Sequence, residues 1–357
     1  MSVITTHRAH RVEFDESFAE VALSLANVFR AGGRLLVSAS GRDDHAQHVA
    51  VEFIHPVIVG KPSLPAIACD VTSLSNLLGP HDAVLLITTS TVELEAMMSY
   101  LPSDARVFEV VANESILVQR YHILWETVHL CLEYASSART GQTDMASKIL
   151  YPFLTARHPS DDNRLANADV AKAIASSTAI KQAQMTDLAA HTMSTHWERV
   201  NQVAELIIAT SAPGTIYTIG NGGSSCDAAR LARLLGYVGI RSVCLSTNYA
   251  TLSALANDVG AERIFARMIG GIATECDVLI AFSTSGASKN LINGLEVAKE
   301  KGLQTVGFAG YGGGQFVDSG LVDHMFVVDS DSVHRIQEAQ GVLIDAICDA
   351  VEKRRSQ

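Results

Sequence analysis

Apolar positions along this chain come in two kinds of run. Short, near-continuous apolar stretches read as strands buried on both faces. They fall at 35–37, 65–69, 83–88 and 106–111, and again at 215–219, 242–245, 277–282, 305–309 and 324–328. Between them the spacing is helical. Phe14, Phe18, Val21, Leu25 and Phe29 line one side of a helix over 15–30, which Gly32-Gly33 stops. Further helices are predicted from Asp43 or Asp44 to 55 (ended by Pro56), over 92–100, over 114–134 and, with a helical turn, over 73–78. Later helices fall at 169–191, 197–209, 224–237, about 252–257, 289–301 and 336–351. Strands alternating with helices predict an α/β protein of three-layer α/β/α domains with mainly parallel sheets.

The pattern runs twice, so the architecture reads as an internal duplication. The expected division is a first domain over 13–137, a connector over 138–164 and a second domain over 165–357 that opens on a pair of helices. The connector carries Gly141, Pro152, Pro159 and Asp161-Asp162, with a helix expected over 144–154.

Composition narrows the function. The chain has 357 residues, enough for two cores, with 48% hydrophobic and 18% charged positions. Its formal net charge of −11 argues against general binding of nucleic acid or anionic membrane. The six cysteines form no C-x-x-C pair, so neither a zinc knuckle nor a disulfide framework is indicated. No signal peptide is evident, and the run at 83–87 is too short to span a bilayer. A cytoplasmic protein is expected.

Two loops carry the candidate chemistry. Gly220-Asn221-Gly222-Gly223-Ser224-Ser225 follows a strand and opens a helix. Glycines permit close approach of a ligand, and the first helical N–H groups face an anion. An ordinary turn with Ser224 as helix cap is the structural alternative. The second loop, Ser283-Thr284-Ser285-Gly286-Ala287-Ser288, also joins a strand to a helix and is rich in hydroxyls. Both would lie at the C-terminal edge of one parallel sheet, where such folds bind ligands. Neither is a nucleotide loop, so no nucleotide cofactor is expected.

With Asn257-Asp258 and Arg335-Ile336-Gln337-Glu338 in order after them, these loops make residues 215–351 resemble a sugar isomerase (SIS) domain, closest to the phosphoheptose isomerases. The first half resembles a reduced, divergent copy, so the fold implied is a tandem of SIS domains. The resemblance implies an aldose–ketose isomerase of a sugar phosphate, such as sedoheptulose 7-phosphate, working as a homo-oligomer (dimer or tetramer). It implies substrate binding by Asn221, Gly222, Gly223, Ser224, Ser283, Thr284, Ser285, Ser288 and Gln337.

The resemblance breaks at the catalytic positions of the second half. Family His, Glu and His fall on Arg230, Leu234 and Asp345, none of which suits a divalent metal site together. The first half keeps what the second lost. His48 and Glu52, four apart on one helix face, match the family His and Glu, and His129 matches the second His. Tyr121 falls at the family Gln, with His122 adjacent. The resemblance thus implies Glu52 and His129 as catalytic acid/base groups. It implies His48, Glu52 and His129 as ligands of zinc or another divalent ion, with His122 as a further ligand candidate. Conversely the first half lacks the paired glycines: its loops are Ser38–Asp44, carrying Arg42, and Thr88-Thr89-Ser90-Thr91. This reciprocal loss leads to the expectation of a composite site that draws on both domains. Two other readings stay open: buried histidines hydrogen-bonded to Glu52 with no metal, and a non-catalytic sugar-phosphate-binding regulatory or assembly protein.

Overall fold

A computed structural model describes residues 10–12, 18–56, 61–140, 167–210 and 214–356. The chain divides into two compact units, Met1–Gln184 and Met185–Gln357. The helix expected over 144–154 lies outside the described residues.

In the first unit the elements run β1 (His10–Arg11), α1 (Phe18–Arg30), β2 (Leu35–Ser38), α2 (Asp43–Ile54), β3 (Ala66–Ala68), α3 (Leu74–Leu77), β4 (Ala83–Thr88), α4 (Thr91–Met98), β5 (Val107–Val111) and α5 (Glu114–Thr140). They build a parallel sheet of order β1-β5-β4-β2-β3. Alternate strand residues serve opposite faces, as a period of two requires. Leu35, Val37, Leu85, Ile87, Phe108 and Val110 pack under α1, α2 and α5, whereas Leu36, Val84, Leu86 and Val107 meet Leu74, Leu94 and Met97. That is the expected three-layer sandwich. Sequence spacing did not reveal β1, a two-residue edge strand; Arg120 of α5 secures it by donating to the carbonyls of Val12 and Val111.

The helix α6 (Asn167–Thr210) is continuous where two helices were expected. Thr192-Met193-Ser194-Thr195 contains weak helix formers but no breaker, and Ser194 Oγ turns back to donate to His191 O at 2.8 Å. The division between the two compact units falls inside this helix, after Gln184.

The second unit continues with β6 (Ile216–Gly220), α7 (Gly223–Tyr237), β7 (Ser242–Cys244), α8 (Tyr249–Asp258), α9 (Ile264–Ile272), β8 (Val278–Phe282), α10 (Lys289–Glu300), β9 (Gln304–Ala309), α11 (Gln315–Asp318), β10 (His324–Val327) and α12 (Val333–Arg355). Its parallel sheet has the order β10-β9-β8-β6-β7. Phe282, Phe308 and Phe326 stack across β8, β9 and β10 at 4.4 and 4.6 Å. Helix α9, to which the sequence reading assigned no element, buries Phe265, Met268 and Ile269 on the opposite face.

The duplication extends to single residues. Asp82, just before β4, accepts from the backbone N–H groups of Arg34 and Gly79. Asp277, just before β8, accepts from those of Thr215 and Thr274 in the same pattern. Gly33 precedes Arg34 as Gly214 precedes Thr215. A Cβ on either would come within 2.0 Å of a carbonyl, that of His81 or of Cys276. Both units therefore lock the lower end of the central strands with the same carboxylate and the same glycine.

Candidate functional site

In the second unit the two hydroxyl-rich loops leave the C-terminal ends of adjacent strands, β6 and β8. The first turns tightly at Gly220, where a Cβ would lie 2.2 Å from Ser224 O, and at Gly222, whose φ is +52°. Ser246 clasps Gly220 from β7's side, accepting from its N–H at 3.0 Å and donating to its carbonyl at 2.8 Å. In the second loop Gly286 N–H donates to Ser283 Oγ at 3.0 Å, and Gly286 has φ +63° with Gly313 O 1.9 Å from a notional Cβ. The side-chain amides of Asn221 and Asn290 exchange two hydrogen bonds, 2.9 and 2.8 Å, and tie one loop to the helix after the other. Ser288 is the N-cap position of α10, and its side chain makes no capping bond. Beside the loops lies a cleft of about 340 Å³, lined by Gly220, Asn221, Gly222, Ser225, Ser246 and Asn290 with apolar side chains of α8 and α9. Ser246 and Asn290 were not singled out in the sequence; only their positions just after β7 and in the first turn of α10 could have marked them.

Between α7 and α12 the second unit has a buried ion pair. Arg230 of α7 bonds Asp345 of α12 at 2.5 Å and is 1% exposed. Gln337, two turns before Asp345, is buried, and its Oε1 has no hydrogen-bond partner among the described residues.

The first unit arranges different chemistry on the same scaffold. Counting from the shared carboxylate lock, Ala39 stands at the place of Gly220, so the loop cannot follow the same course. Arg42 crosses the loop region. It donates to Ser40 O and Thr89 Oγ1, and its charge is taken up by Glu93 at 3.0 Å and Glu114 at 2.9 Å. This arginine is thus committed to two carboxylates rather than offered to a phosphate.

Behind it, α2 and α5 face each other. His45, His48 and Glu52 lie at i, i+3 and i+7 of α2, one stripe of the helix. His48 Nε2 is 3.3 Å from His122 Nε2 and 3.7 Å from Glu52 Oε1, and all three residues are buried. Together they form a group able to hold a metal ion, with ligand atoms within 4.8 Å of one another. Two imidazole nitrogens bound to one tetrahedral zinc at about 2.0–2.1 Å stand roughly 3.3 Å apart, so the donor set fits. His129 is not in this group. Seven residues carry it two helical turns, about 10 Å, beyond His122. There it packs against Trp125, with ring centroids 4.4 Å apart, and Phe53. Trp125 Nε1 donates to Glu52 O at 2.7 Å, fixing the backbone beneath the carboxylate. His45, Tyr121 and Glu114, to which the sequence reading gave no function, extend the cluster toward the surface.

All six cysteines are free. Burial pushes the Cys131 and Cys348 thiols up to about 12, so both are packing groups. No helix among the described residues is long and apolar enough to cross a membrane.

Two parallel α/β/α units, one with serine-rich loops at its strand ends, define the class as a tandem of SIS-like α/β/α domains. The SIS domain family matches residues 182–310. The phosphoheptose isomerase of Helicobacter pylori (strain P12) is 39% identical over 163 residues, covering 44% of this chain and 84% of the relative. That of Paramagnetospirillum magneticum is 40% identical over 148 residues, 40% of this chain and 76% of the relative. The chain belongs to the SIS-domain family, in its phosphoheptose-isomerase-like branch. The C-terminal domain of a Francisella tularensis glucosamine-fructose-6-phosphate aminotransferase, 13% identical, covers 93% of this chain and 87% of its own length at a TM-score of 0.55, a likeness of fold alone.

Proposed function

We propose that the chain is an aldose–ketose isomerase of sugar phosphates, acting on sedoheptulose 7-phosphate or a close analogue. The observation that carries this reading is the division of chemistry within one family member: serine loops in the second unit, and a His48–Glu52–His122 group in the first. In this reading Ser224, Ser283, Thr284, Ser285 and Ser288 hold the phosphate through hydroxyls and loop N–H groups. Asn221, Gly222, Gly223 and Gln337 bind the sugar, the buried Gln337 Oε1 accepting from a hydroxyl. Binding energy gained at the phosphate orients the reacting carbons.

Isomerisation moves a proton between C1 and C2 and another between their oxygens. Glu52 is the base for the carbon-bound proton, and His129 is the complementary acid/base. His48, Glu52 and His122 would hold a divalent ion, which when bound stabilises negative charge on the substrate oxygens. The composite use of both units rests on the reciprocal loss of residues, and a homo-oligomer is part of the same proposal.

A second reading, a regulatory or assembly protein that binds a sugar phosphate without turnover, is favoured by the Arg230–Asp345 pair and by the burial of Glu52. A panel of aldose and ketose phosphates, assayed with and without zinc, separates the two. Product formation that depends on zinc supports the isomerase. Binding without turnover by folded, zinc-treated protein supports the regulator.

A further inference from the structure

The His48–Glu52–His122 group is the inner end of a longer chain of polar contacts. Arg42 Nε donates to Glu114 Oε1 at 2.9 Å. The other oxygen of Glu114 meets His45 Nε2 at 2.9 Å, His45 Nδ1 meets Tyr121 OH at 3.4 Å, and Tyr121 OH meets His48 Nδ1 at 2.9 Å. His45, Tyr121 and His48 are all buried.

Hydrogen-bond direction along such a chain is fixed from one end. A carboxylate paired with arginine can only accept. A neutral His45 then donates from Nε2, which leaves its Nδ1 an acceptor. Tyr121 donates its hydroxyl proton to that nitrogen, and its oxygen is then free to accept from His48 Nδ1–H. With the proton on Nδ1, His48 carries a lone pair on Nε2, the atom that faces His122 and Glu52. Without an ion, His122 Nε2–H completes the 3.3 Å contact as donor. An ion would displace that proton.

We infer that Glu114, His45 and Tyr121 are positioning residues that set the tautomer of His48 and so make its Nε2 a metal ligand. The inference rests on the proposed ion site. Its chemistry is that of an outer shell holding a ligating imidazole in one orientation and one protonation pattern. None of the three touches the ion, so each acts through His48.

The test uses the full-length, metal-free protein and long-range proton–nitrogen correlation of the imidazoles, with His48 assigned by loss of its signals in His48→Gln. The wild type is expected to show His48 with its proton on Nδ1. Glu114→Gln should reverse the chain. Arg42 retains the amide oxygen, the amide NH2 donates to His45, and the proton of His48 moves to Nε2. Zinc affinity, measured by competition with a chromophoric chelator, should then fall by roughly ten- to a hundredfold. Tyr121→Phe, which removes the hydroxyl but keeps the ring, should lose the single tautomer and weaken zinc similarly. An Nε2–H form of His48 in the wild type, or an unchanged tautomer in Glu114→Gln, overturns the inference. A wild type that shows the Nδ1–H form but binds no zinc overturns the ion site and leaves the hydrogen-bond chain standing.

Discussion

The two units share the order of four strands and a strand lock but differ in chemistry; the fifth, edge strand is β1, ahead of the other four, in the first unit and β10, behind them, in the second. Both place a glycine beside a carbonyl and a carboxylate over two backbone N–H groups at the foot of the central strands. At the opposite edge they part. The second unit opens its loops around Gly220, Gly222 and Gly286, whereas the first passes Arg42 across the same region and holds it with Glu93 and Glu114. Deeper in, the first keeps two histidines and a glutamate together, and the second has Arg230 bound to Asp345. In one unit a cation would be bound as an ion; in the other it is built in as a guanidinium. The foot of the sheet is constrained by packing and backbone hydrogen bonds common to both copies. The loop edge is not, and there the two copies differ.

This contrast can be broken most sharply at His48. His48→Ala removes one nitrogen from the ligand group, and zinc affinity and zinc-dependent turnover should each fall roughly a hundredfold or more. Sugar-phosphate binding, measured by calorimetry, should stay within a few-fold of wild type. Turnover that survives without zinc binding would separate catalysis from the group.

The built-in cation of the second unit gives the next effect. Asp345→Asn leaves the buried Arg230 without its carboxylate and should cost about 3 kcal/mol in urea unfolding. The Asp345 side chain is 23% exposed, so the effect belongs at the lower end of what burial allows. A cost near zero would mean that other contacts satisfy Arg230.

A matched pair of glycine variants compares the loops. Gly220→Ala forces a Cβ against Ser224 O and should reduce sugar-phosphate binding roughly tenfold or more by moving the first helical N–H groups. Gly41→Ala meets open space at φ +66° and should cost only about 1–2 kcal/mol of stability, with phosphate binding kept. Equal losses of binding would contradict the assignment of the phosphate to the second unit.

The smallest effect concerns the strand lock. Burial works to raise the Asp82 carboxyl, but hydrogen bonds from the Arg34 side chain and from backbone N–H groups outweigh it and hold Asp82 below the usual carboxylate range. A depressed folded value stabilises above the unfolded value of about 4 and is lost as pH falls through the folded value. Asp82→Asn should therefore flatten the acid limb of stability below about pH 4. An unchanged limb would assign acid sensitivity to other carboxylates.

Much of the fold was legible because strands buried on both faces leave continuous apolar runs, as at Ala83–Thr88 and Val278–Phe282. What escaped did so for other reasons: β1 is two residues long, and the apolar face of α9, Ile264, Phe265, Met268 and Ile269, runs into the helix-weakening Gly270-Gly271. The loops of the second unit were legible because positive φ demands glycine. The cluster of the first unit was legible only in part. His48 and Glu52 share a helix face, but whether His122 or His129 joins them depends on the level at which α5 crosses α2, which spacing along one helix does not encode. His45, Tyr121 and Glu114 come together only through that same crossing.

The proposed function assigns proton transfer to the first unit and the phosphate to the second. It is tested most directly by steady-state kinetics of Glu52→Gln and Ser285→Ala on sedoheptulose 7-phosphate with zinc present. The account predicts that Glu52→Gln lowers kcat by roughly 100- to 10,000-fold while sugar-phosphate binding persists, and that Ser285→Ala chiefly raises KM. Wild-type kcat in Glu52→Gln would contradict it.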